Sequence, residues 1–141
     1  MDIVSKKKRS VIMSAIRGKN TRPEIKVRKY LFSKGYRFRL HVRELPGKPD
    51  IVLPKYKTAV FVHGCFWHQH HGCKYAYMPK TNTKMWRTKF ESNVARDKLG
   101  IESLHNLGWR SIIVWECQIK PDQLKLLGKS IANNDQLPHL D

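Results

Sequence analysis

Carboxylates are scarce in this chain. Eleven Asp and Glu stand against 28 Lys and Arg in 141 residues, a formal net charge of +17. That imbalance argues against a basic partner and favours a polyanion, nucleic acid first and an acidic membrane surface second. Long apolar runs are missing too. None approaches the roughly 18 residues of a spanning helix, which argues against a membrane-embedded helical protein. The basic start, "MDIVSKKKRSVIMSAIRGKN", carries no apolar h-region and no small-residue cleavage site. Cysteine is limited to Cys65, Cys73 and Cys117. An odd count without an export signal argues against a disulfide framework and leaves metal ligation as the better use. Repeats, low-complexity tracts and long linkers are absent. The expectation is one domain spanning 1–141, cytosolic and in contact with nucleic acid.

What is present reads as alternating helices and strands. The basic arm, residues 1–20, includes "SVIMSAI", which places Val11, Ile12, Ala15 and Ile16 on one helical face. It is either a solvated arm or a segment that orders against a partner. "TRPE" then opens a helix, with Thr21 as cap, Pro23 in the first turn and Glu24 at the capping-box position. Gly35 stops it. "YRFRLHV" (36–42) alternates apolar and basic residues, as a strand with one buried face does. "ELPGKPD" is a turn, and "DIVL" (50–53) a short strand. "TAVFVHG" is apolar enough for a central strand buried on both faces. A long helix is expected from about Thr83 to Leu107, with Trp86, Phe90, Val94, Ile101 and Leu104 on its apolar side. "WRSIIVWEC" is another buried strand, and Pro121 opens a last helix carrying Leu124, Leu127 and Ile131. The helical connection between the third and fourth strands permits parallel pairing through a right-handed crossover. The class is α/β, a small mixed sheet covered by helices.

The chemistry is concentrated in "HGCFWHQHHGC" (63–73), which holds four histidines and two of the three cysteines. Cys65, His70 and Cys73 form C-x4-H-x2-C, and Cys117 ends a predicted parallel strand. The four make a tetrahedral zinc set, in which His71 can replace His70 and His68 can join. Phe66 and Trp67, inside that loop, and Trp86, at the helix start, are either core or a rigid wedge that stacks on bases. Asp50, at a strand start, is either a turn residue or a ligand for Mg²⁺, which prefers oxygen donors. His63 and His68 follow the next strand and suit proton transfer near neutral pH. Glu24 is a helix cap that can also point a carboxylate into a neighbouring site.

"TRPE", "PGKPD", "HGCFWH", "WRTKFESNVARD" and "LGWRSIIVWEC", in that order, give the chain a resemblance to the very-short-patch-repair DNA mismatch endonucleases. It covers about residues 8–118. The resemblance implies a restriction-endonuclease-like fold with a small central mixed sheet, helices on its faces and a structural Zn²⁺. It implies an Mg²⁺-dependent nick on the 5′ side of the thymine in a T·G mismatch, the product of 5-methylcytosine deamination. By the same resemblance Asp50 and the Val62 backbone carbonyl hold Mg²⁺, His63 and His68 are the active-site histidines, and Glu24 supports one of them. Cys65, His70, Cys73 and Cys117 hold Zn²⁺; Phe66, Trp67 and Trp86 insert into the duplex, and Met13 reaches it from the opposite groove. The expected setting is double-stranded DNA in the bacterial cytoplasm, at the nucleoid, with a monomer as the default state and mismatch-repair proteins as candidate partners. Gly72 makes the His70–Cys73 interval one residue longer than the spacing known in the family, so His70 and His71 both stay open. No E-x-K follows Asp50, as none does in the family, so histidines must take over part of that work. Two other readings stand beside this one: a restriction-type endonuclease on paired DNA, and a zinc-stabilised nucleic-acid-binding module without catalysis.

Overall fold

A computed structural model describes residues 21–133. The basic arm and Met13 lie outside the described residues.

Helix α1 spans Arg22–Ser33, and its start is set locally. The Thr21 side chain accepts from the Glu24 amide at 3.4 Å and Pro23 sits in the first turn, which satisfies one of the four orphan amides of a helix N-terminus. Gly35 ends it at φ +88°, a left-handed position that glycine holds without strain. Val27 and Leu31 are its fully buried contacts with the sheet.

The sheet has four strands in chain order: β1 (Arg39–Leu40), β2 (Ile51–Leu53), β3 (Thr58–His63) and β4 (Arg110–Trp115). The pairs β1–β2 and β2–β3 are antiparallel and β3–β4 is parallel, the pairing that the helical connection permits. Two expectations need correction. The strand anticipated over 36–42 shrinks to Arg39–Leu40, and both residues are exposed. Tyr36 and Phe38 do pack on the core, but from an irregular approach rather than from a ladder. The second correction concerns α2, the long helix, which spans Thr83–Asn106. Val94, assigned to its apolar side, is 45% exposed. The inward stripe runs through Trp86, Phe90, Asn93, Asp97, Gly100 and Leu104 at helical spacing. Two of these six are polar, and they face the site described below.

Helix α3 (Pro121–Asn133) buries Leu127 and Ile131 against the same core as Val27 and Leu31. Arg110 pins its last turn by donating to the carbonyls of Ser130 and Ile131 at 2.8 and 3.3 Å. A cation there meets the negative end of the helix dipole. Helix α2 crosses the turn before β2 at a glycine-on-glycine contact. A Cβ on Gly100 would lie 2.5 Å from the Gly47 Cα. That closeness brings α2 down onto the "PGKPD" turn that leads into Asp50.

Candidate active site and cysteine–histidine centre

The parallel register pairs His63 with Trp115 at the ends of β3 and β4. Both chains leave the sheet at one edge, so Cys65 and Cys117 emerge side by side. Cys65, His70, Cys73 and Cys117 present donor atoms all within 4.8 Å of one another. His70 Nδ1 is 3.7 Å from the Cys65 sulfur and 3.4 Å from that of Cys117. Metal–sulfur and metal–nitrogen bonds of typical zinc length, at tetrahedral angles, put sulfur and nitrogen about 3.6 Å apart. The donor set and its spacing therefore fit one tetrahedral ion. Burial pushes the Cys65 and Cys117 thiols up, so thiolates here require a cation. Of the two adjacent histidines, His70 faces the cysteines: it is buried and stacked on Trp115 with ring centres 4.1 Å apart, and His71 is exposed. Gly72 turns this loop at φ +73°, a conformation that glycine holds without strain.

On the other side of the same loop lie Asp50, Glu24, Asp97, His41, His63 and His68. The Asp50 Oδ2 accepts from the Val62 amide at 2.7 Å, just past the β2–β3 ladder. Burial raises the Asp50 carboxyl to about 6, against the pull of that amide and of His41 and His68 nearby. A carboxylate kept partly dry at a strand edge is a ready cation ligand. His63, only 4% exposed, stacks on His68 with ring centres 3.8 Å apart and planes 3° off parallel. Its Nδ1 is buried without a hydrogen-bond partner among the described residues. Burial, then His68, lowers His63 to about 3, so the imidazole is neutral.

Two residues absent from the sequence expectation complete the cluster. Asp97, on α2, accepts from His68 Nδ1 at 2.6 Å. His41, just after β1, places Nε2 2.6 Å from Glu24 Oε1. Glu24 is 1% exposed and also receives Arg28 at 2.5 Å. So the carboxylate bonded to His68 is that of Asp97, while Glu24 is held by His41 and Arg28, where the sequence expectation joined Glu24 to an active-site histidine. Glu24 and His68 both lie close enough to act on the charge of Asp50, so the groups form one site. Asp97 had a signal in the sequence: it falls on the inward stripe of α2, seven residues after Phe90. His41 had none, because its role depends on how β1 meets α1.

The aromatics gather beside this cluster. Phe66 lies 5.3 Å from Trp67, 5.6 Å from Trp86, 5.1 Å from Phe90 and 5.0 Å from Tyr77. Phe66, Trp67 and Trp86 are half-buried. Lys89 sits over the Trp67 and Trp86 rings at 5.1 and 5.7 Å. Asn93 donates to the Trp67 carbonyl at 3.0 Å, tying the loop to α2. The group is thus a self-packed platform with open faces and a cation on it, which suits contact with bases.

A family profile described as "DNA mismatch endonuclease Vsr" matches residues 1–74. The chain is similar to the type II nicking enzyme V.XorIIP of Xanthomonas oryzae pv. oryzae, 48% identical over 118 residues, covering 84% of this chain and 86% of that protein. It is 47% identical over 119 residues to the type II nicking enzyme V.NmeAIP of Neisseria meningitidis serogroup A, covering 84% of each. To the DNA mismatch endonuclease Vsr of Escherichia coli K12 it is 42% identical over 119 residues, 84% of this chain and 76% of that protein. With a profile match across more than half its length and relatives at this identity over most of theirs, the chain belongs to the Vsr family of DNA mismatch endonucleases.

Proposed function

We propose that this endonuclease recognises a T·G mismatch left by deamination of 5-methylcytosine. It hydrolyses the phosphodiester on the 5′ side of the thymine and so starts very short patch repair in the bacterial cytoplasm. The observation that carries this reading is the pairing of His68 with Asp97 beside the half-dry carboxylate of Asp50.

Asp50, with the Val62 carbonyl, would hold Mg²⁺, for which an oxygen donor set is suited. When bound, that ion supplies positive charge that offsets the charge building on the scissile phosphate. Asp97 accepts from His68 Nδ1, which leaves Nε2 as the basic nitrogen. His68 then takes the proton of the attacking water as oxygen bonds to phosphorus and the bond to the leaving oxygen breaks. Neutral His63, stacked on His68, contributes a hydrogen bond at the phosphate or the leaving oxygen. Glu24 adds its carboxylate to the Asp50 side of the site.

Cys65, His70, Cys73 and Cys117 would hold a structural Zn²⁺, which stiffens a loop carrying Phe66 and Trp67 on one side and His68 on the other. Phe66, Trp67 and Trp86 would open the duplex at the mismatch. Unstacking costs a few kcal/mol per step, least where pairing is already weak, so the wedge itself contributes selectivity.

The test uses a labelled duplex with a single T·G and its T·A counterpart, each with and without Mg²⁺. Nicking of the T·G duplex alone, on the thymine strand and only with Mg²⁺, is expected. Cutting of both duplexes would replace mismatch repair with a restriction-type activity. Phe66→Ala with Trp67→Ala is expected to lose the T·G preference while retaining its zinc.

A further inference from the structure

We infer that His41 is a positioning residue of the active site, tying the carboxylate of Glu24 to the backbone of Asp50 so that both carboxylates face one divalent cation. The inference rests on the reading of Glu24 and Asp50 as the cation side of the site.

His41 makes two connections across elements. Its backbone amide donates to the Asp50 carbonyl at 3.3 Å, one step past the β1–β2 ladder. Its ring Nε2 lies 2.6 Å from Glu24 Oε1, seventeen residues back on α1. Donor atoms of Glu24, His41 and Asp50 all fall within 4.8 Å of one another. Arg28 also holds Glu24, at the same oxygen, but it sits one turn along the same helix. It cannot set where Glu24 lies relative to the sheet. His41 belongs to the sheet side and can.

The backbone supports the same reading. His41 has φ +49°, a left-handed conformation that L side chains rarely adopt. The turn that ends β1 would be unstrained with glycine. A strained residue whose ring bonds a buried carboxylate at a reaction centre marks a place where position matters more than local ease. Two carboxylates brought together repel, and the His41 ring offsets that repulsion from the sheet side. Held by His41, the oxygens stay in place before the ion arrives, so no reorganisation is needed on binding.

The test compares wild type, His41→Gly and His41→Gln by Tm, by kcat and KM on the T·G duplex, and by the Mg²⁺ concentration for half-maximal rate. Glycine suits the left-handed turn, so this variant keeps the fold while removing the ring. Its kcat is expected to fall about 10- to 100-fold, the usual cost of losing such a support. Half-saturation should move to higher Mg²⁺, with KM for DNA unchanged within about twofold. His41→Gln, whose amide can donate to Glu24, should recover most of the rate. A His41→Gly enzyme with wild-type kcat and Mg²⁺ dependence, or with a loss confined to Tm, overturns the inference. Glu24→Gln separates the two layers. If it is crippled while His41→Gly is normal, only the tether is wrong. If Glu24→Gln nicks like wild type, the underlying assignment of Glu24 is wrong and the tether goes with it.

Discussion

Replacing Asp50 by Asn should abolish nicking and make the protein more stable. The carboxyl titrates at about 6 in the folded protein against 3.8 unperturbed, chiefly because burial disfavours the charge. Between those values the folded state binds more protons than the unfolded state, so this group's contribution to stability falls as pH rises through the window. Fully ionised, near pH 8, a raised carboxyl of this size costs about 3 kcal/mol, at 1.36 kcal/mol per unit. Near pH 5 the same arithmetic leaves roughly 1.5 kcal/mol. Asn keeps the shape, and its oxygen can still accept from the Val62 amide, so Asp50→Asn removes that cost. The assay is urea unfolding of both proteins at pH 5 and pH 8, in magnesium-free buffer without chelator so that the cysteine centre stays loaded. Titration of His63 and of the cysteines is common to both proteins and cancels in the difference. The variant should gain about 3 kcal/mol at the higher pH, on the order of 10 °C in Tm, and about half that at the lower. Adding Mg²⁺ should stabilise wild type and narrow the gap, since only wild type keeps the anionic ligand. A variant no more stable than wild type at pH 8, or a gain that does not shrink toward pH 5, would refute the argument.

Further expectations follow from other contacts. Gly100→Ala would drive a methyl into the Gly47 backbone, 2.5 Å away. The cost is roughly 1–3 kcal/mol by denaturant melts, with reduced nicking because Gly47 leads into Asp50. Asp97→Asn should lower kcat about 10- to 100-fold with little change in KM for DNA, as loss of a histidine's supporting carboxylate does; an unchanged kcat would remove Asp97 from the mechanism. Chelation, or Cys117→Ser, should release about one Zn²⁺ per chain and lower Tm steeply. Atomic absorption showing no zinc in the purified protein would contradict the cysteine–histidine centre.

Much of the fold was legible because it is encoded over short distances. Thr21, Pro23 and Gly35 bound α1 through groups within a turn of each helix end. The apolar runs at 59–62 and 112–115 mark largely buried strands, and the helix between them permits parallel pairing. Once those two strands are parallel neighbours, Cys65 and Cys117 must come together. Where the pattern was read by counting alone, it erred. Val94 was assigned inward because it is apolar, although the stripe through Phe90, Asp97 and Leu104 turns it toward solvent. The strand at 36–42 fell short because alternation promises a face, not a partner: β2 offers ladder positions only to Arg39 and Leu40.

The sequence by itself determined the element order, the charge that selects DNA, and the pool of ligands and aromatics. The tertiary structure alone decided how that pool is divided. It seated His70 rather than His71 among the cysteines, gave His68 to Asp97, and gave Glu24 to His41. The reason is physical. A cap or an apolar stripe is satisfied by neighbours a few residues away, so its signal is local. A hydrogen bond between His68 and Asp97, or between His41 and Glu24, depends on where a helix crosses a sheet. For α2, and so for Asp97, that crossing depends on two glycines in contact.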